Sequence, residues 1–277
     1  MSRHQEVWSV INRVSPVALL RECRERMRAI FGWQWFRGNY STWDEALRTT
    51  TGYSCEEIPR RVLRSTREVI AGRAAFERDS VLFAVPQPDA PLLAALSRVS
   101  EALAGRLRVL DFGGALGSTY WRHRVWLESV PDLCWDVVEQ PAFVEVGRSE
   151  LGAHPVRFFS SVEEACRTEQ YDVLLASGVL QYLEDPDLMI QDWVGRGFRW
   201  LLINNLPLHG GASTITVQHV PPSIYPASYP VWFFNREKFL ERFSGRYEVD
   251  REFASEAVWP MRWRRFASTG LLLRRIS

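Results

Sequence analysis

Residues Val109 to Trp121 read VLDFGGALGSTYW: a buried-looking apolar run ends in Asp111, three glycines follow at Gly113, Gly114 and Gly117, and a helical stretch begins. Glycine tolerates positive φ and has no Cβ, so such a turn lets a ligand approach the backbone closely. The helix after it offers unpaired N–H groups and the positive end of its dipole, which together seat an anionic group. About 22 residues beyond Gly117 the next apolar segment, WDVVE, ends in Glu139. If the two segments are neighbouring parallel strands, that carboxylate lies beside the glycine turn and can accept both hydrogen bonds of a ribose diol. Each half alone fits a packed turn or a solvated acid. Joined, they describe a seat for a nucleoside-containing cofactor.

A dinucleotide site usually spaces its glycines G-x-G-x-x-G around a pyrophosphate. Here the glycines stand behind an acid that would repel a pyrophosphate but could receive the α-ammonium of S-adenosyl-L-methionine, directly or through water. The segment D-F-G-G-A-L-G resembles the first motif, D-x-G-x-G-x-G, of class I S-adenosylmethionine-dependent methyltransferases, with Ala115 at the middle glycine. The resemblance implies a Rossmann-like sheet in which Glu139, with Gln140 beside it, holds the ribose, and Ser160 and Ser161 lie near the adenine amino group. It also implies that Tyr171 to Asp187, including Ser177, pass under the methionine portion, with Gln181 and Tyr182 facing the acceptor. A narrower resemblance covers about Gly32 to Phe234. GNYSTWDEA, RDSVLF, VLDFGGALGSTYW, WDVVEQPAFVEVG and SYPVWFF are similar to segments of a bacterial family described as methyltransferases of unassigned acceptor. It implies the reaction class without naming an acceptor; O-methylation of a small-molecule or saccharide acceptor in a biosynthetic pathway is the function expected here.

Methyl transfer to oxygen or nitrogen needs the reacting atoms held at roughly 3 Å and, for a hydroxyl, a base. The stretch Leu206 to Pro230 follows a strand and reads as a long loop beyond the strand tips, where open α/β sheets bind ligands. It supplies Gln218, His219, Tyr225 and Tyr229 as acceptor contacts, and His209 as the expected base. Tyr182 is a second catalytic candidate. Trp35, Tyr40 and Trp43 could form an aromatic lid, although packing of such residues in a core is equally compatible with the pattern. No metal site is expected, since Asp185 and Asp187 flank Pro186 in a turn.

The elements that must position these groups alternate between apolar, β-branched segments and helices from Arg106 onward, the pattern of a parallel sheet covered on both faces. Strands are expected near Arg108 to Phe112, Trp135 to Glu139, Val156 to Phe159, Asp172 to Ala176, Arg199 to Asn204, Tyr247 to Phe253 and Leu271 to Ile276. The fold class is therefore α/β, a Rossmann-like seven-stranded, mostly parallel sheet flanked by helices. Residues 1–105 are expected to form an N-terminal helical cap before a Rossmann-like domain at 106–277. Its helices are an amphipathic one from Ser15 to Phe31, a short one after Thr42 with Glu45 in a capping box, one from Ser54 toward Arg78, and one from Asp89 to Ala104.

The 277 residues carry 34 basic and 33 acidic side chains, so no global field draws the chain to nucleic acid or an anionic membrane. Hydrophobic residues make up 46% and charged residues 24%, which excludes a disordered chain. Cys23, Cys55, Cys134 and Cys166 are too scattered for a zinc or disulfide framework. No signal-like or membrane-spanning apolar run is visible, so a cytoplasmic location is expected. The apolar face of the first helix permits a homodimer. A nicotinamide-dependent oxidoreductase and a non-catalytic binding protein on a Rossmann-like core are the competing readings.

Overall fold

The computed structural model describes residues 36–51, 57–220, 227–261 and 264–276. Its centre is a seven-stranded sheet built from β4 (Arg106–Phe112), β5 (Asp132–Val138), β6 (Val156–Phe159), β7 (Val173–Ser177), β8 (Trp200–Leu206), β12 (Tyr247–Met261) and β13 (Arg264–Arg275). The spatial order is β6-β5-β4-β7-β8-β13-β12. Neighbours from β6 to β8 pair in parallel, and β13 runs antiparallel to both β8 and β12. Strand order reverses between β4 and its two neighbours, so the crevice at a topological switch point opens above Asp111, where such sheets take ligands. The seven expected strands are all present. The last two are longer than expected, because they form one extended hairpin.

Alternation along the strands shows why the sheet is covered twice. Leu107, Val109, Val137, Val173, Leu175, Leu202 and Leu272 enter one core with residues of α2 (Glu57–Ile70), α3 (Ala90–Ala102), α4 (Ser118–Leu127) and α5 (Pro141–Leu151). Leu110, Val138, Leu174, Ala176, Leu201, Ile203, Leu271 and Leu273 enter the other, against α6 (Val162–Thr168), α7 (Pro186–Arg196) and α8 (Arg236–Glu241). A period of two places successive side chains on opposite faces, and both faces here are apolar, as parallel strands require.

A second sheet, in the order β1-β10-β11-β9, comprises β1 (Phe36–Tyr40), β9 (Leu208–His209), β10 (Thr214–His219) and β11 (Ser228–Asn235). The stretch Leu206 to Pro230 is thus largely strand rather than loop. The described part of 1–105 is also mixed rather than helical. Besides α1 (Trp43–Leu47), α2 and α3, it holds β1 and a hairpin of β2 (Phe76–Arg78) and β3 (Val81–Phe83). The helix expected to run toward Arg78 stops at Ile70, and Asp79 and Ser80, both with positive φ, make the two-residue turn that matches strand twist. The expected capping of α1 by Thr42 is present, its side chain accepting from Glu45 N. The expected helix from Ser15, Trp35, Ser54 and Tyr225 lie outside the described residues. Among the described residues no helix is long and apolar enough to cross a membrane, and no cluster of acids, histidines and cysteines could hold a metal.

Candidate functional site

The glycine turn is shaped by contacts that leave no freedom of residue type. Gly113 has φ +74°, and a Cβ there would stand 2.6 Å from Val179 Cγ2. Gly114 has an ordinary φ, but a Cβ would meet Asp111 Oδ2 at 2.5 Å. Gly117, at φ +83°, precedes α4 with no side-chain cap of its own. Ala115 stands at φ +51°, where an L-residue costs roughly 1–2 kcal/mol. Its replacement of the motif's glycine is therefore a strained choice, not the mild one that an added methyl suggests.

Asp111 is 1% exposed, tucked beneath Gly114, and its Oδ2 accepts the Trp135 indole N–H at 3.3 Å. Burial pushes its carboxyl up to about 7, and the charge of Glu139 adds to the rise. The charge of one strand-end acid therefore reaches the other. Asp111 is nonetheless sealed under the turn, so it braces the loop from below and acts on the cleft by charge rather than by an open contact. Glu139 is half-buried; it accepts the Gln140 N–H at 2.6 Å, and the Ala115 N–H of the glycine turn further favours its charged form against the upward push of burial. Gln140 itself is exposed and precedes α5.

Ser161 is already committed. Its hydroxyl caps α6 by accepting Glu164 N at 3.0 Å, while Glu164 Oε2 accepts Ser160 N at 2.7 Å. Ser160 is exposed just beyond the end of β6. Ser177 accepts from the amides of Asn204 and Asn205, at 3.2 and 3.4 Å. These belong to a buried polar network that sequence reasoning missed. Asn204 also donates to Asp89 Oδ2 at 3.3 Å and accepts the Ser255 hydroxyl at 2.6 Å. Asp89 N donates to His123 Nε2 at 3.0 Å, and His123 Nδ1 lies 2.8 Å from Thr119 O, which fixes the Nδ1–H tautomer. Burial lowers His123 to about 4, so it stays neutral. Asn205 at φ +55° turns the chain off the end of β8. Of its members only Ser177 was a candidate in the sequence, because the others come from distant segments.

The expected acceptor residues divide between two faces of the second sheet. On one, Tyr182 donates to Gln218 Oε1 at 2.9 Å and stands edge-on to Tyr229, ring centroids 5.2 Å apart. Tyr182, Tyr229 and Phe36 pack against the buried core of Val231, Phe233 and Trp259. Gln181, 1% exposed beside them, has a buried Oε1 without a hydrogen-bond partner. On the other face, Tyr40 and Trp43 pack with Ala46, Ile215, Val217 and Trp232, the Trp43 and Trp232 rings stacked at 6.1 Å. They form a small core under α1 and are not grouped with Tyr182. His219, half-buried at the end of β10, has its pKa lowered by burial and by the charge of Arg37. His209 lies in the two-residue strand β9. Its Nδ1 accepts Gly211 N at 3.0 Å and its ring leans on the Phe233 backbone, so it holds its own turn.

Two wide-mouthed concavities of about 520 Å³ lie off this centre, one between α3 and β12 and the other between α5 and Ser160.

No family model and no curated protein matches the chain. Among solved structures it is similar to the N-terminal domain of EvdMO1 with S-adenosylhomocysteine bound, at 16% identity over 78% of this chain and 97% of that one, TM-score 0.43. It is similar to the magnesium protoporphyrin IX methyltransferase ChlM from Synechocystis PCC 6803, at 14% identity over 80% and 100%, TM-score 0.44. The CcbJ methyltransferase from Streptomyces caelestis shares 16% identity over 73% and 94%, TM-score 0.44. The strand order, not these likenesses, defines the fold.

Proposed function

We propose that the chain is an S-adenosyl-L-methionine-dependent methyltransferase acting on a small-molecule or saccharide acceptor. The observation that carries this reading is the convergence of Asp111 and Glu139 on one glycine turn, with the charge of Glu139 contributing to the raised Asp111. A ligand bringing positive charge relieves that repulsion, whereas the pyrophosphate of a nicotinamide cofactor would deepen it. The donor fits the residues present: Glu139 for the ribose diol, the backbone of Gly113 and Gly114 against the amino-acid portion, Ser160 at the adenine edge. The bound donor supplies a sulfonium-activated methyl group. The chain's own part is to position and to exclude water, which Tyr182, Gln181, Gln218 and Tyr229 do on the acceptor side.

With His209 engaged by its own turn, the acceptor is placed against the Tyr182–Gln218 side of the cleft rather than against β9. The reading places O-methylation in a biosynthetic pathway, the catalytic unit at 106–277 and the region before it as the covering part. Calorimetric titration with S-adenosylhomocysteine and with NAD tests it. Binding of the first and not the second supports the donor, and the reverse overturns it. Donor binding without transfer to any member of a broad acceptor panel would favour a non-catalytic protein.

A further inference from the structure

Ser177 ends β7 with its hydrogen bonds divided unevenly. A serine hydroxyl has two lone pairs and one proton. Asn204 Nδ2 and Asn205 Nδ2 donate to its oxygen at 3.2 and 3.4 Å, which occupies both lone pairs, and among the described residues nothing accepts its proton. The two amides are held in this sense by their other partners. Asn204 Nδ2 also donates to Asp89 Oδ2 at 3.3 Å, and Asn204 Oδ1 accepts the Ser255 hydroxyl at 2.6 Å. Ser255 itself accepts Asn205 N at 3.3 Å, while Asn205 Oδ1 accepts Ala257 N at 3.3 Å. Flipping the Asn205 amide would set its two N–H donors against the Ala257 N–H. Ser177 is left with a proton to give and no lone pair to offer.

Ser177 also stands at the rim of the crevice rather than in the core. Residues 171–176 are buried, but Ser177, Gly178 and Val179 are half-buried, as are Gly113 and Gly114 beside them. Asp111 pairs with Leu175 in the parallel ladder, and two residues further along each chain come Gly113 and Ser177. The two turns touch, since a Cβ at Gly113 would stand 2.6 Å from Val179 Cγ2. A hydroxyl that can only donate suits an anionic oxygen and gives an ammonium nothing to bind. The amino-acid portion of the donor carries one of each. Its ammonium is drawn by charge to the side of Asp111 and Glu139, which leaves its carboxylate for the tip of β7.

We propose that Ser177, its polarity fixed by the Asn204–Asn205 amide pair, donates a hydrogen bond to the α-carboxylate of S-adenosyl-L-methionine; this rests on the methyltransferase reading of the same cleft. Ser177 is then the contact residue and the two asparagines are positioning residues. The test is calorimetric titration of wild type, Ser177→Ala and Ser177→Thr with S-adenosylhomocysteine and with its decarboxylated analogue. Wild type is expected to prefer S-adenosylhomocysteine tenfold or more. In Ser177→Ala that preference is expected to shrink at least fivefold, with affinity for the analogue within twofold of wild type. Ser177→Thr, which keeps the hydroxyl, is expected to retain the preference. Asn205→Gly keeps the positive φ while removing one of the two amides, and is expected to narrow the preference about two- to fivefold without weakening the analogue.

Equal binding of both ligands by wild type overturns the proposal without any variant, which covers the case of variants that do not fold. An unchanged preference in Ser177→Ala also overturns it, as does an equal weakening of both ligands there, the mark of a serine that only braces the strand tips. Equal weakening of both ligands in Asn205→Gly, or no change in either, overturns the positioning role of the amides. A wild-type chain that binds neither ligand overturns the donor reading itself and the inference with it.

Discussion

The two sides of the cleft are built in opposite ways. At the tips of β4 and β5 the chain uses glycine backbone and buried acids, with Asp111 raised to about 7 beneath a turn in which two glycines have no space for a Cβ. Across from it, the second sheet and the turn after β7 use neutral hydroxyls, amides and aromatic rings, as in the Tyr182–Gln218–Tyr229 group. A charged, rigid seat suits one fixed ligand. A neutral aromatic surface assembled from separate segments is free to vary in shape. On the proposed reading, donor and acceptor are recognised by different physics, and perturbing each side should give different signatures.

The largest effect is expected from Gly113→Ala. A Cβ at φ +74° and 2.6 Å from Val179 should cost roughly 2–4 kcal/mol of stability and displace the turn. Urea unfolding measures it, and a loss below about 1 kcal/mol would mean the turn is not rigid.

Next comes pH. Asp111 and Glu77 have folded values raised to about 7 from ordinary values of 3.8 and 4.5. The folded chain therefore holds extra protons, and the stability they confer, complete below the unfolded values, is lost as pH rises through 7. Between about pH 4.5 and 7, where the unfolded chain has released these protons and the folded chain has not, each group should take away roughly 1 kcal/mol per pH unit, and the loss levels off above about pH 7.5. Over the same range the neutral His123, lowered to about 4, imposes the opposite slope, which one of the two acids offsets. Thermal melts of the ligand-free chain should show Tm falling over the window, and falling less in Asp111→Asn. A flat profile would remove the charged character of the donor side.

Tyr182→Phe probes the other side. Losing the bond to Gln218 should cost about 1 kcal/mol of stability, while S-adenosylhomocysteine affinity stays within twofold. A large affinity loss would show that the two sides are one site. The smallest effect has the opposite sign: Ala115→Gly should stabilise by about 0.5–1 kcal/mol by relieving φ +51°, read from the shift in urea midpoint.

The same contrast explains what could be read from the sequence. Strands β4 to β8 were visible because burial on both faces leaves continuous apolar runs, and the glycine turn with its neighbouring strand-end acid was visible because Gly113, Gly117 and Glu139 are close in sequence and constrained by backbone geometry. The second sheet was read as a loop because Pro230, Gly210 and Gly211 punctuate it, and because β9 is only two residues long. Tyr40 and Trp43 looked like a lid, but an aromatic pattern does not say which face of a sheet it meets. Glu77 and Asp89 were passed over since their partners, Ser118 and Asn204, lie 41 and 115 residues away. His209 drew notice for its chemistry, whereas its Nδ1 bond to Gly211 is a local detail that only coordinates reveal.

Calorimetric titration of S-adenosylhomocysteine into wild type and Glu139→Ala puts the strand-end seat itself to the test. Removing a charged hydrogen-bond partner of the ribose should weaken binding about 10- to 100-fold, the equivalent of roughly 1.5–3 kcal/mol, with the variant's melting curve still cooperative. Affinity equal to wild type in a folded Glu139→Ala chain would contradict the account.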